Sequence, residues 1–277
     1  MEREFVELEG MPPLQVSVRH FSIMNSLLMV LNSTETGDPD NVIARYFLEN
    51  FDHLHDLNVY EVADACYTSR SGIRRFCQSI GVDNFSALKA ANYEWGLHRK
   101  FFIDYTDRTE FSTHLMASID EMMGSINENV EDDEIAALAT LTHDAEDIVL
   151  VTSDFSSMAV REFQQSMLYM HKIVQILTDS FGSEKGLAEL SPASLVIVIS
   201  ASGNYARAAR RQLEETRAAR VLVTLSHDED LASPYDAVLR LSRDEYCGER
   251  TVYAKYGINY FFDLLYHRYF SLYGNGR

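Results

Sequence analysis

Apolar residues change their spacing along this chain near residue 130. Before that point they recur three and four apart, the interval that puts side chains on one face of a helix. Ile23, Leu27, Val30 and Leu31 predict a helix from about His20 to Leu31. Residues 32–40, "NSTETGDPD", are turn chemistry, with Gly37 and Pro39 among short polar residues. Several short helical patterns follow from Asn41 to about Asn92, and a longer helical stretch is expected over about Tyr93–Asn129. Beyond the acidic run Glu131–Glu134 the apolar residues gather into short, nearly continuous runs: Ile148–Thr152, Lys172–Leu177, Leu195–Ser200, Arg220–Leu225 and Ala237–Leu241. Most gaps between them have room for a helix or crossover. Such runs predict a parallel sheet buried on both faces.

The pattern therefore predicts an all-α N-terminal domain followed by an α/β domain. The latter has a doubly wound, mostly parallel five-stranded sheet with helices on both faces. The expected boundaries are an extension over 1–19, a helical domain over 20–92, a helical linker over 93–130 and the α/β domain over 131–277. Four adjacent acids before "IAALATL" are read as the N-terminal turn of a helix, where negative charge is favoured, rather than as a metal site.

Composition narrows the classes. With 277 residues, 46% hydrophobic and 24% charged, the chain suits two ordinary folded domains. No apolar run reaches the roughly 18–20 residues of a membrane span. The start, "MEREFVELEG", lacks the apolar core and cleavage site of a secretory signal. Cys66, Cys77 and Cys247 are odd in number with no CxxC spacing, which suggests neither a disulfide framework nor a zinc site. The expectation is a cytoplasmic protein without membrane, metal or cofactor. A net charge of −18 opposes general adhesion to nucleic acid, so any DNA contact has to be local.

Such a local feature is present. Residues 58–81, "NVYEVADACYTSRSGIRRFCQSIG", read as two short helices and a tight turn. Val59, Val62 and Ala63 face inward on the first, and Ile73, Phe76, Cys77 and Ile80 on the second, with Ser69 as the N-cap between them. This is the pattern of a helix-turn-helix, in which the second helix enters the major groove N-terminus first. Between residues 38 and 92 eight acids outweigh five bases, yet residues 68–82 hold three arginines and no acid. Ser69, Arg70, Ser71, Arg74 and Arg75 are the candidate contacts to bases or phosphates of a double-stranded operator. The alternative is the solvated face of a helical bundle. His53 and His55 are read as a solvated pair in a turn, and Cys66 and Cys77 as packed small hydrophobes.

The stretch Ala44–Ala91 is similar to the N-terminal domain of the RpiR/MurR family of bacterial sugar-metabolism regulators. The likeness rests on a helix followed by Glu49-Asn50, on "RRFCQSIG" at 74–81 and on "FSALK" at 85–89. One departure is Gly72, where the family usually has Thr or another better helix former. In that family the second half is a sugar isomerase (SIS) domain, and residues 194–213, "SLVIVISASGNYARAARRQL", resemble one: a strand, then Ser200-Ala201-Ser202-Gly203, then a helix. The resemblance implies that this loop binds a sugar phosphate. A helix N-terminus offers amide donors to an anion, hydroxyls add hydrogen bonds and a glycine permits close approach. Without the resemblance the same residues read as a plain strand-to-helix turn. The segment Thr224–Leu241 also resembles the SIS segment after the fourth strand, so the likeness runs from about residue 20 to 270.

The first SIS loop departs from the family. Thr152 and Asp154 stand at positions usually glycine, and Phe155 replaces a small or polar residue. Ser156 and Ser157 remain as hydroxyl donors, and Asn204-Tyr205 replaces the commoner Glu-Thr in the later loop. The candidate ligand residues are thus Ser156, Ser157, Ser200, Ser202, Gly203 and Asn204. Three functions are carried forward. The first is a DNA-binding regulator of sugar or amino-sugar metabolism whose SIS domain senses a phosphosugar or related metabolite. The second is a regulator whose altered SIS domain serves oligomerisation or a non-phosphorylated ligand. The third is an isomerase, for which Glu249 and His227 are candidate bases without a catalytic context. A homodimer or homotetramer is expected, from SIS pairing in the family and from the aromatic segment Tyr260–Tyr273.

Overall fold

The computed structural model describes residues 23–90, 95–153, 156–178, 184–243 and 250–274. Five helices make up the N-terminal region: α1 Ile23–Ser33, α2 Pro39–Glu49, α3 Val59–Ala65, α4 Arg70–Ser79 and α5 Phe85–Ala90. The start of α2 shows how local causes set these helices. Asp38 caps α2 by accepting from the Asp40 amide at 2.8 Å, and Pro39 occupies the first turn, where its missing N–H costs nothing. The buried Asn41 donates from Nδ2 to Leu31 O at 3.2 Å and Thr34 O at 3.3 Å, tying α2 to the end of α1. Phe47 is fully buried, with its ring centroid 5.9 Å from those of both Phe76 and Phe85. Around it lie Ile23, Leu27, Val62, Ala63, Ile73, Cys77, Ile80 and Leu88, a core made of one face of each helix.

The helical stretch expected over Tyr93–Asn129 is divided into two helices, α6 Trp95–Thr106 and α7 Phe111–Asn129. The break falls in "TDRTE", whose side chains compete for backbone groups. Thr106 Oγ1 donates to Phe102 O at 2.8 Å and Arg108 Nε to Asp104 O at 3.0 Å, while Glu110 takes a positive φ of 55°. Tyr105, Met122, Ile126 and Val130 are buried in the same cluster as the sheet, so this helical stretch packs on the α/β half.

That half begins with α8 Asp132–Asp144, whose first turn is the acidic run; Glu134 accepts from the Glu131 amide at 3.0 Å. Then come β1 Ile148–Thr152, α9 Ser157–Tyr169, β2 Val174–Leu177, α10 Glu184–Ala188, β3 Leu195–Ser200, α11 Asn204–Glu214, β4 Ala219–Thr224 and β5 Ala237–Arg240. A short α12 Arg250–Val252 leads through a π-turn into α13 Ile258–Tyr273. β2 starts two residues later than expected, because Lys172 is drawn back to α8, where its ammonium donates to the carbonyls of His143 and Ala145.

The strand order is β2-β1-β3-β4-β5, and every pairing is parallel. Alternate residues of each strand serve opposite faces. Ile148, Leu150, Leu195, Ile197, Ile199, Val221 and Val223 pack with α8, α9 and α13, whereas Val149, Val151, Val196, Val198 and Leu222 pack with α10 and α11. Both faces are covered, which is why the strands read as continuous apolar runs.

Candidate functional site

Two places gather the candidate residues. The first is the α3–turn–α4 unit. The hydroxyl of Ser69 accepts the Gly72 amide at 3.1 Å, capping α4, and lies 2.7 Å from Ser71 Oγ. On α4, Ile73, Phe76 and Cys77 are buried with Gly72, so Arg70, Ser71, Arg74 and Arg75 are left on the outer face. Arg70 and Arg74, like Ser71 and Arg75, are four residues apart and stand one above the other. Arg74 and Arg75 make no ion pair among the described residues. Arg70 is held: its Nη1 donates to the Tyr60 hydroxyl at 2.9 Å, and its guanidinium lies 4.7 Å from the centre of the Tyr60 ring. Tyr60 escaped the sequence reading, although its place ten residues before Arg70 on a helix facing the same turn was a usable signal.

The turn between the helices closes in a compact way. The Tyr67 amide donates to Asp64 O at 3.2 Å and the Thr68 amide to Ala63 O at 2.9 Å, the paired bonds of a Schellman end. Gly72 has a packing reason as well. A Cβ there would lie 2.3 Å from Thr68 Oγ1, so the small residue admits the close approach of the preceding turn.

The second place is the carboxyl end of β1 and β3. These strands are neighbours, with Thr152 opposite Ile199, and the chain leaves them toward opposite faces. That is a topological switch point, where open α/β sheets form ligand crevices. Ser200 and Ser202 therefore stand on the strand end next to the one that leads into Ser156 and Ser157.

The hydroxyls there are partly committed. Ser200 is buried and its Oγ accepts the Ala206 amide at 3.2 Å, inside the first turn of α11. The Thr224 hydroxyl donates to Ser200 O at 2.7 Å, and that of Thr152 to Ile199 O at 3.3 Å. Ser202 is less buried, with its Oγ 3.4 Å from the Asn204 amide. Ser156 and Ser157 are both buried. Gly203 has a φ of 80°, and a Cβ on it would meet the Leu231 side chain at 2.4 Å and Ser226 Cβ at 3.2 Å. The glycine is required by the backbone and by the 226–231 segment beside it.

Arg207, one turn into α11, is a charged group that the sequence reading missed. It donates to Asn204 Oδ1 at 2.9 Å and forms an ion pair with Asp228. The hydrogen bond from Arg207, helped by the Asp230 amide, holds the Asp228 carboxyl below the usual carboxylate range. Its pairing with Asp228 after β4 would have been visible only with the strand order known. His227 places Nε2 2.8 Å from Ser242 O. Asp154, Phe155, Cys247 and Glu249 lie outside the described residues, and an open cavity of about 330 Å³ lies elsewhere, between Arg161 and Gln164 of α9 and Thr178 after β2.

The helical region is where a known family matches. Residues 26–94 match the model described as "Helix-turn-helix domain, rpiR family". This chain carries an rpiR-family helix-turn-helix. That rpiR unit is 49% identical over 47 residues to an uncharacterised HTH-type transcriptional regulator of Caldanaerobacter subterraneus subsp. tengcongensis, a match spanning 17% of either chain. Over 91% of this chain, the fold resembles that of the Vibrio vulnificus NanR protein, solved in complex with ManNAc-6P, at 18% identity and a TM-score of 0.53, covering 93% of that protein. It also resembles the sugar isomerase domain of an RpiR transcription factor from Sphaerobacter thermophilus, at 17% identity and a TM-score of 0.50, over 60% of this chain and 93% of the other. At these identities the likeness establishes the fold: an rpiR helix-turn-helix joined to a sugar isomerase-type α/β domain.

Proposed function

We propose that the protein is a DNA-binding transcriptional regulator of sugar or amino-sugar metabolism, not an enzyme, whose α/β domain senses a phosphosugar or related metabolite. The observation that carries the reading is one chain with two parts. An rpiR helix-turn-helix with an outward arginine face precedes a sugar isomerase-type sheet with hydroxyl-bearing loops at its switch point. The matched curated regulator and the NanR complex with ManNAc-6P support it. In this reading Ser69, Arg70, Ser71, Arg74 and Arg75 meet the operator, and Ser156, Ser157, Ser200, Ser202, Gly203 and Asn204 meet the effector. The protein works as a homodimer or homotetramer in the cytoplasm; no helix of the described residues is long and apolar enough to cross a membrane.

A panel of sugar phosphates tested by thermal shift examines the sensing half. A ligand bound only by the folded state at a hundred times its Kd adds about 2.7 kcal/mol of stability. Asp154 sharpens the test, because a carboxylate in the first loop opposes a phosphate. Asp154→Gly is expected to tighten a bound phosphosugar about tenfold, while Ser202→Ala weakens it; calorimetry showing weaker binding by the glycine variant overturns that electrostatic reading.

A second reading, a domain used for assembly or for a non-phosphorylated ligand, is favoured by two specific contacts. Ser200 already serves the Ala206 amide, and Arg207 is paired with Asp228 rather than left to an anion. No stabilisation by any sugar phosphate, with the parent's oligomer intact by light scattering, supports it over the first.

A further inference from the structure

We propose that Tyr67 is a DNA contact, its phenol donating a hydrogen bond to a backbone phosphate beside the groove that α4 enters. The inference rests on the reading of α4 as the DNA-entering helix and adds to it a residue outside that helix, chosen for strain as well as position.

Three observations converge on it. Tyr67 holds φ at 50°, in the left-handed region that a bulky side chain rarely adopts. It occupies the C′ place of the Schellman end of α3, the position that glycine fills most readily. Its side chain is also 96% exposed, the extreme among the large apolar and aromatic side chains described. Nothing among the described residues bonds to its hydroxyl. The contrast with Tyr60 is informative. That neighbour on α3 is 58% exposed, but its ring is covered by the Arg70 guanidinium and its hydroxyl is engaged.

Its backbone closes the turn, but a side chain that strains that backbone and buries nothing adds nothing to the fold. Strain of this kind persists where the surroundings hold it for another purpose. The position supplies the purpose. Tyr67 is two residues before the Ser69 cap of α4, on the corner from which the arginine face of that helix projects. A tyrosine hydroxyl is a regular donor to DNA phosphates, and such contacts fix the register of a helix in the groove. Being neutral, it adds affinity without neutralising a phosphate, so it releases no counterion. Glu61 and Asp64 on the preceding helix α3 are both exposed. A neutral donor makes the contact without adding to the negative charge there.

The test uses the full-length protein and a duplex selected by it from a random DNA library, with Kd measured by fluorescence anisotropy over a series of salt concentrations. Tyr67→Phe is expected to weaken binding about tenfold or more, the loss of one hydrogen bond to a charged group, with the parent's slope of log Kd against log salt. Tyr67→Gly is expected to weaken binding at least as much, while its thermal midpoint stays at the parent's value or rises by a few degrees because strain is relieved. The combined Arg70→Ala, Arg74→Ala and Arg75→Ala variant is the control for α4, with a flatter slope by about 0.9 for each phosphate contact removed. If that control loses binding while both Tyr67 variants keep the parent's Kd, the inference on Tyr67 fails and the reading of α4 stands. A Tyr67→Gly variant that binds poorly and also melts lower makes the residue structural and overturns the proposal. If no duplex is enriched, or the arginine variant binds as the parent does, the DNA reading itself fails and Tyr67 falls with it.

Discussion

Single side chains in the two candidate sites carry separable jobs. Ser200 and Ser202 look equivalent in the sequence, yet only Ser200 is buried and bonded to the Ala206 amide near the start of α11. Ser200→Ala is therefore expected to cost about 1 kcal/mol of stability without any ligand, and Ser202→Ala under about 0.5 kcal/mol, as denaturant unfolding will measure. Asp228 behaves as a paired carboxylate. Its pKa is lowered in the folded state, so its contribution is present above the unfolded carboxylate value and is lost as pH falls through the folded one. The pair with Arg207 is partly exposed, 48% and 30% by side chain, so the effect stays below about 1 kcal/mol. Asp228→Asn should make unfolding less steeply pH-dependent below about pH 4; an unchanged profile would show that the pair contributes nothing. Burial pushes the Cys77 thiol up to about 11 and raises that of Cys66. Alkylation at about pH 8 followed by peptide mapping should leave both unmodified until denaturant is added, since the thiolate is the reactive form.

At the scale of elements, the same α4 that was legible by its period and its Ser69 cap depends on a contact that no period reveals. Gly72 is a poor helix former, and Thr68 Oγ1 sits where its Cβ would be. Gly72→Ala in the parent is expected to gain little, because a stiff β-branched neighbour must move. In a Thr68→Ala background the same change should stabilise by about 0.5–1 kcal/mol, the ordinary advantage of alanine in a helix. Equal effects in the two backgrounds would disprove the coupling. The strands were readable because burial on both faces removes polar alternation, and β1 and β3 lie where their apolar runs are. The helical stretch over Tyr93–Asn129 was legible, but its division into two helices was not, for a related reason. Periodicity continues across "TDRTE", while the break is made by Thr106, Arg108 and Glu110 bonding or turning the backbone locally.

For the whole molecule, the aromatic segment at the C-terminus is put to a different use than its sequence suggested. Ile258, Phe261, Phe262, Leu265 and Tyr269 of α13 are buried within this chain's own core, against α8 and α9, leaving Phe270 and Leu272 half exposed. The proposed oligomer must then draw on other surface too, such as Met158, Leu168, Tyr169 and Ile173 on and after α9, all largely exposed. Light scattering at micromolar concentration should give at least a dimer, and Leu168→Glu combined with Tyr169→Glu should reduce it; a monomeric parent would rule out the proposed assembly. The sequence by itself determined the two-part architecture, the parallel sheet and the helix-turn-helix, because period, capping and turn chemistry are local or nearly so. It also named the loops after β1 and β3. What only the tertiary structure decided is which groups those loops have left to offer. The pairing of Arg207 with Asp228, the crowding of Gly203 by Leu231 and the hold of Tyr60 on Arg70 join residues ten or more apart, and the use of Ser200 as a cap depends on how the turn into α11 folds back on it. A one-dimensional pattern records which residues are present, whereas their chemistry is set by the partner that the fold brings within about 3 Å.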